Sequence, residues 1–143
     1  MRSDILNENS SSTFGHKKKI ESISADITLS NEDSGKVFML DAAGGTVAIT
    51  LPTATSAEDG VYYKFIVEEE TPSNAITIGA GSAIVSFVGL DVSGTAASTA
   101  GTQVSNIIVG TSAQKGDVVE LLFAKGEYVG TVLSGINGSI TTS

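Results

Sequence analysis

A chain of 143 residues, 41% of them hydrophobic, is long enough for one domain, and a globule of this size buries roughly 68–70% of the surface that its unfolded chain exposes. The formal net charge is −8 and there is no cysteine, which excludes a disulfide framework and a thiolate metal site. Beyond Lys19 there is also no histidine, arginine or tryptophan. General-base catalysis near neutral pH relies mainly on histidine, and bidentate anion recognition on arginine, so we predict that the protein is not an enzyme.

The charge is distributed unevenly along the chain. Residues 1–19 carry four basic side chains and two acidic ones, a sum of +2, which leaves −10 for residues 20–143. The first 19 residues are polar and show neither strand nor helix periodicity. We therefore predict an extended basic N-terminal arm, residues 1–19, with no secretory signal, followed by an all-β body domain, residues 20–143.

The charge and hydropathy patterns also limit the partners. An acidic body repels nucleic acid, because nucleic-acid binding depends on lysine and arginine to neutralise phosphates. No apolar run approaches the ~20 residues that cross a bilayer. Neither nucleic acid nor a membrane is a predicted partner.

The first half of the body alternates short strands with turns. A first strand is predicted over residues 20–29, where apolar and polar residues alternate. The polar residues 30–35 predict a tight turn or a single helical turn. Strands are predicted over residues 36–40 and 46–51, and Pro52 ends the second because it has no N–H to donate to a strand ladder.

The second half contains the most strand-like sequence. Tyrosine, phenylalanine and β-branched residues predict a strand over residues 61–68, and a shorter one over residues 75–78. Residues 79–116 are rich in Gly, Ala, Ser and Thr, and their secondary structure is the least predictable of the chain. Their only short apolar runs lie near residues 84–88 and 107–109. Two further strands, residues 117–124 and 127–133, follow.

These last two strands are joined by Lys125-Gly126, which predicts a two-residue hairpin because a primed turn needs positive φ. The whole body has about nine predicted strands and no amphipathic helix. We predict an all-β fold, an antiparallel β-sandwich or jelly-roll-like body with an extended N-terminal arm.

No motif predicts a catalytic, cofactor-binding or metal-ligating residue. The acidic run at residues 68–70 has carboxylates that suit a hard cation, but consecutive residues of a strand alternate faces and such a run is typical of a solvated turn. Two carboxylate pairs, Glu58 with Asp59 or Asp117 with Glu120, could in principle cleave glycosidic bonds. Sugar sites usually also offer aromatic side chains on which the sugar stacks, and the sequence predicts no such platform beside either pair.

Two parts of the sequence are similar to a recurring pattern in small structural proteins of tailed bacteriophages. The first reads ITLSNEDSGKVFMLDAAGGTVAITLP followed by GVYYKFIVEE, and the second reads KGDVVELLFAKGEYVGTVLSG. The matching residues are Ser34, Gly35, Lys36, Leu51, Pro52, Gly60, Tyr62, Tyr63, Phe65, Gly116, Asp117, Gly126 and Tyr128. These residues mark turns and strands, and none is catalytic.

The resemblance implies a capsid decoration, or cement, protein. Such a protein binds the outer surface of the phage head and stabilises it by bridging subunits of the major capsid protein, often as a homotrimer. It implies a virion protein made in the host cytoplasm, with no cofactor. An alternative is a tail-fibre or spike module that recognises host-surface glycans or proteins, for which we expect a groove containing Tyr62, Tyr63 and Tyr128.

For the decoration protein, the arm supplies the predicted capsid contacts. Its lysines are expected to pair with acidic capsid surface and its apolar residues to dock in shallow pockets. The predicted capsid-contacting residues are Ile5, Leu6, Phe14, Lys17, Lys18 and Lys19. The small-residue stretch 93–101 is expected to pack near the trimer axis.

Overall fold

The computed structural model describes residues 17–80, 85–91, 103–136 and 138–143. The predicted all-β sandwich is confirmed, since these residues form twelve strands and their only helical element is one 3₁₀ turn, Asn31–Asp33. The strands are β1 Ile20–Ile23, β2 Ile27–Thr28, β3 Val37–Leu40, β4 Val47–Thr50, β5 Tyr62–Val67, β6 Ile76–Gly79, β7 Val85–Asp91, β8 Gln103–Val104, β9 Asn106–Val109, β10 Val118–Ala124, β11 Glu127–Ser134 and β12 Ile140–Thr142. No helix in the described ranges has the length and apolar character needed to cross a bilayer.

The strands are divided between two sheets. The seven-stranded sheet has the order β1-β3-β5-β10-β11-β7-β8, and the five-stranded sheet has the order β12-β9-β6-β4-β2. From β1 to β6 the chain alternates between the two sheets, so odd-numbered strands lie in the first and even-numbered strands in the second.

This alternation makes the pairing mixed, where the sequence had predicted an antiparallel sandwich. Strands β1, β3 and β5 are parallel to one another, as are β2, β4 and β6, and β7 runs parallel to β11. The remaining pairs, which include β5 with β10 and β10 with β11, are antiparallel. Parallel neighbours need a long crossover connection, and here a strand of the facing sheet provides it instead of a helix.

The single strand predicted over residues 20–29 is wrong, because the chain changes sheets within it. Residues 20–23 form β1 of the seven-stranded sheet, and residues 27–28 form β2 of the five-stranded sheet. Ala25 between them is exposed, although its apolar character fitted the alternation. The crossing is held by Asp26, whose Oδ1 accepts a hydrogen bond of 2.8 Å from the backbone N–H of Ala48.

An aromatic cluster fills the core between the sheets. Phe38 and Phe65 occupy neighbouring positions on β3 and β5, with ring centroids 5.5 Å apart, and the Phe123 and Tyr128 rings meet edge to face at 4.9 Å. Aliphatic side chains of the five-stranded sheet complete the same core, and Ile49, Ile76, Ile78 and Ile107 are all fully buried. Burying each such side chain stabilises the fold by about 1.5–3 kcal/mol.

The C-terminal part contains one confirmed and one missed element. Lys125 and Gly126 have φ values of 54° and 87°, and Ala124 pairs with Glu127, as the predicted two-residue primed hairpin requires. Strand β12 was not predicted, because three residues after a Gly-Ser turn show too little periodicity. Its pairing with β9 in the five-stranded sheet makes it a strand.

Candidate interaction surfaces

Three of the six predicted capsid-contacting residues lie in the described part of the chain. Lys17, Lys18 and Lys19, here called the lysine cluster, are all exposed. The carbonyl oxygen of Lys19 accepts a hydrogen bond of 2.9 Å from Val37 N–H, which attaches the cluster to the start of β3. Ile5, Leu6 and Phe14 lie outside the described residues. The cluster therefore stands at the edge strand β1 of the seven-stranded sheet, where residues 1–16 join the body.

The lysine cluster borders a shallow depression that is completed by Glu32, Ser34, Gly35 and Lys36. Lys36 belongs to this depression, but its Nζ lies 3.0 Å from Glu21 Oε2 and 2.5 Å from Asp33 Oδ1. Hydrogen bonds to these two carboxylates raise the pKa of Lys36. Within the described residues no ion pair involves the lysine cluster, and its three side chains are exposed.

The turn next to this depression is held by several hydrogen bonds. The Asp33 carboxylate accepts hydrogen bonds from both N–H and Oγ of Ser30, at 2.8 and 3.0 Å, which caps the 3₁₀ turn. Burial acts to raise the pKa of Asp33, but hydrogen bonds from Lys36 and Ser30 outweigh burial and hold it below its usual range. Gly35, with φ of 82°, then donates its N–H to the carbonyl of Tyr62 at 2.8 Å. The turn is thus fixed to the centre of the sheet.

The tyrosine groove expected for the receptor-binding alternative is not formed by these three residues. Tyr63 and Tyr128 are fully buried, and their hydroxyls donate to backbone carbonyls of Ser30 at 2.7 Å and Pro52 at 2.9 Å. Tyr62 points to the opposite face of β5. Two of the three rings stabilise the core, so a receptor-binding role would need another surface.

The acidic residues considered for cation binding hold loops instead. Glu69 accepts a hydrogen bond from Ala42 N–H, and Glu68 Oε2 accepts one from the Ser22 hydroxyl at 3.1 Å. No group of three or more His, Cys, Asp or Glu side chains within the described ranges is placed to hold a metal ion. These carboxylates satisfy donors where the chain leaves or enters a strand.

Three of the four carboxylates in the glycosidase-like pairs considered above, those of Asp59, Asp117 and Glu120, have separate structural partners. Asp59 Oδ1 accepts from Lys125 N–H at 2.9 Å, at the tip of the β10–β11 hairpin. Glu120 Oε1 lies 2.9 Å from Lys64 Nζ on the outer side of the seven-stranded sheet. Asp117 is 6% exposed and is bonded within the fold. Because these carboxylates bond to different parts of the fold, neither pair lines a common cleft.

Asp117 joins the loop before β10 to the end of β11. Its Oδ2 accepts from the Ser134 hydroxyl at 2.9 Å and from Gln114 N–H at 3.0 Å, and its Oδ1 accepts from Gly135 N–H at 2.9 Å. The Ser134 hydroxyl also contacts that of Ser139. The Gly-Asp pair of the recurring phage-protein pattern therefore has a folding role in this chain.

A second surface, which the sequence did not predict, covers the outer side of the seven-stranded sheet. Strand β5 carries large residues on both faces, with Tyr62 and Ile66 directed outward and Tyr63 and Phe65 inward. Such two-sided apolar character is typical of a strand that is covered on both faces. The large residues on both faces of β5 are visible in the sequence. Only the strand order shows that the neighbouring strands also carry apolar residues on this outer face.

The centre of this surface is polar. Lys64 and Glu120 form their ion pair there, and the pair raises the pKa of Lys64. Burial, with smaller contributions from the negative charge and hydrogen bonding of Glu120, raises the pKa of Tyr62. The side chains of Lys64 and Glu120 remain 32% and 35% exposed, so a partner can reach them.

Comparisons of the chain with protein-family models, with curated proteins and with solved structures found no match.

Proposed function

We propose that this chain is a structural protein of a phage particle, a decoration protein that binds the outside of the head and bridges major capsid protein subunits. The observation that carries the proposal is the exposed lysine cluster at the junction of residues 1–16 with an acidic, rigid β-body. The resemblance to small phage structural proteins supplies the class of partner.

The charge pattern supports contact through the N-terminal residues. Residues 20–143 have a net charge of −10, so an acidic capsid surface would repel the body and attract the cluster. A segment that becomes ordered on binding covers much surface per residue, and repeated sites on a symmetric shell compensate for weak single contacts. Ile5, Leu6 and Phe14 are the apolar contacts of this proposal.

The body supports a mechanical rather than a chemical role. The hydroxyls of Tyr63 and Tyr128 are bonded in the core, and the carboxylates of Asp26 and Asp59 accept backbone N–H groups of other segments. The homotrimer implied by the resemblance stays a prediction, because residues 93–101, expected near its axis, lie outside the described residues.

The test is reconstitution of heads that lack this protein with purified full-length chain, followed by co-sedimentation. We expect the unaltered chain to bind at physiological salt and to bind more weakly as salt rises, because the contact is electrostatic. Replacing the lysine cluster by Lys17→Ala, Lys18→Ala and Lys19→Ala is expected to weaken binding by about tenfold or more, at roughly 0.5–1 kcal/mol for each lost charge contact.

The matched control is the double variant Lys115→Ala and Lys125→Ala, which removes exposed lysines from the body. We expect it to bind heads like the unaltered chain. No binding by the unaltered chain would reject the capsid role, and equal losses in both variants would reject the lysine cluster as the contact.

A further inference from the structure

The two sheets differ in what they expose. The outward residues of the five-stranded sheet are mostly small or hydroxylated, as are Ala48, Thr77 and Thr141, and Ile108 is the exception among these adjacent positions. The seven-stranded sheet exposes large aliphatic residues instead. Of the five exposed large hydrophobic residues in the described ranges, four lie on its outer side: Ile20, Leu122, Val129 and Leu133.

Strand register arranges this outer face in three rows across β3, β5, β10 and β11. The first row is apolar and consists of Met39, Ile66, Val118 and Leu133. The middle row contains the ion pair and consists of Val37, Lys64, Glu120 and Thr131. The third row consists of Tyr62, Leu122 and Val129.

A sheet face that is exposed to water normally carries polar residues. Here Leu133 is 60% exposed, Val129 47% and Leu122 42%, on adjacent strands. Exposed apolar rows of this kind, which here lie on either side of the ion pair, mark interaction sites on a folded chain. The central ion pair then restricts which partner fits.

We propose that two copies of this chain pack face to face through these three rows, about a two-fold axis that runs parallel to the strands between β5 and β10. Rotation about that axis places β5 of each copy over β10 of the other and keeps each row opposite itself. Lys64 of each copy then lies opposite Glu120 of the other, which gives two intermolecular charge pairs in the middle of the contact.

The apolar rows are self-complementary under the same rotation. Ile66 of one copy meets Val118 of the other, and Tyr62 meets Leu122. The axis also divides the sheet almost equally, with three strands on one side and four on the other. Face-to-face packing of sheets with nearly aligned strands, about 10 Å apart, is a common arrangement.

The charges exclude the other two-fold arrangement of the same face. An axis perpendicular to the strands, along the middle row, would place Lys64 opposite Lys64 and Glu120 opposite Glu120. Like charges opposed in this way are unfavourable. The charge pattern therefore selects one relative orientation of the copies.

The size of the contact indicates a reversible dimer. Four strands about 4.8 Å apart and three outward rows about 7 Å apart span roughly 19 by 20 Å, before side-chain relief is counted. This is about 380 Å² per copy, roughly half of the 800 Å² per partner that a standard interface buries, so we expect a weak, transient dimer with a dissociation constant on the order of 10 μM or higher.

The test is sedimentation velocity of the full-length chain over a concentration series around that value. We expect the mass to rise from the monomer value of 14.5 kDa towards twice that value. Lys64→Glu alone and Glu120→Lys alone each oppose like charges across the interface, so each is expected to weaken association at least tenfold. Ala48→Glu, on the outer side of the five-stranded sheet, is the control and leaves association unchanged.

Mixing the two charge variants gives the decisive measurement. A Lys64→Glu chain opposite a Glu120→Lys chain has two complementary pairs again, so the equimolar mixture is expected to regain dimers that neither variant forms alone. Thermal unfolding of each variant verifies that it is folded.

Three outcomes would overturn this pairing. The first is a monomer at every concentration, as when another part of the same chain covers the face. The second is the homotrimer that the resemblance implies, which this two-fold pairing would replace, and the third is a mixture of the charge variants that stays monomeric. Head binding is measured separately through the lysine cluster, so either proposal can fail without the other.

Discussion

The carboxylate of Asp117 illustrates how much of this fold depends on single buried acceptors. It receives two backbone N–H groups and one hydroxyl, from segments that precede β10 and follow β11. Removing a buried acceptor leaves its donors without partners, and each such donor costs about 1–3 kcal/mol. The side chain thus connects the start of one hairpin strand to the end of the other.

We predict that Asp117→Ala lowers the free energy of unfolding by about 3 kcal/mol. Chemical denaturation monitored by tyrosine fluorescence or circular dichroism measures the change. Glu70→Ala, at an exposed acidic position, is the control and should change the midpoint little. Equal midpoints for the two variants would show that the Asp117 bonds contribute nothing net.

The buried tyrosines make stability depend on pH in the alkaline range. Burial raises the pKa of Tyr128 to about 12, from an ordinary value near 10, and raises that of Tyr63 as well. Between pH 10 and about 12 the unfolded chain therefore loses a proton that the folded chain retains. The stabilising contribution is complete below pH 10 and is lost as the pH rises through 12.

We predict that the unaltered chain loses stability steeply between pH 10 and 12, with Tyr128 contributing at most about 3 kcal/mol. Tyr128→Phe removes this titration, so its unfolding free energy should fall less over the same interval. At pH 7 the variant should be less stable by about 1 kcal/mol, because the Pro52 carbonyl loses its donor. Parallel pH dependences for the two chains would contradict the assignment.

Among the elements, the β10–β11 hairpin shows where local sequence and fold agree. Both turn residues have positive φ, which Gly126 adopts without steric cost and Lys125 does not. A Cβ added to Gly126 would meet no atom within 4 Å, so substitutions there act through the backbone alone. The turn itself can therefore be tested without disturbing the core.

We predict opposite effects for two substitutions in this turn. Gly126→Ala should destabilise the fold by about 1–2 kcal/mol, the cost of left-handed backbone for an L-residue. Lys125→Asn should stabilise it by a few tenths of a kcal/mol, since roughly this much separates asparagine from other residues at positive φ. Thermal unfolding of both variants measures the difference, and a destabilising Lys125→Asn would contradict the primed-turn assignment.

At the scale of the whole molecule, the two proposed contacts occupy different places. The lysine cluster lies at edge strand β1, and the apolar outer face is centred on β5 and β10. In the proposed pair, the two-fold axis places the two β1 strands on opposite sides, so the two N-terminal segments leave from opposite edges. Two such segments on one pair would let a dimer engage two capsid subunits and raise the effective affinity.

The sequence by itself determined the fold class, most strand positions and the Lys125-Gly126 hairpin, because these depend on period-2 alternation and on local turn chemistry. It also determined that residues 1–19 are basic and residues 20–143 are acidic. Tertiary structure alone decided that the chain crosses between sheets at residues 24–26, and that a seemingly continuous strand is two. Alternation along a chain does not reveal which sheet a strand joins.

Tertiary structure also decided which tyrosines are buried and which residues lie next to each other on the outer face of the seven-stranded sheet. Tyr62 and Tyr63 are neighbours in the chain, yet they lie on opposite faces of β5, and only the packing of the second sheet identifies Tyr63 as the buried one. Lys64 and Glu120 are distant in sequence and meet because β5 pairs with β10. Long-range strand order has no local signature, so the charged centre of the apolar face becomes visible only in the folded chain.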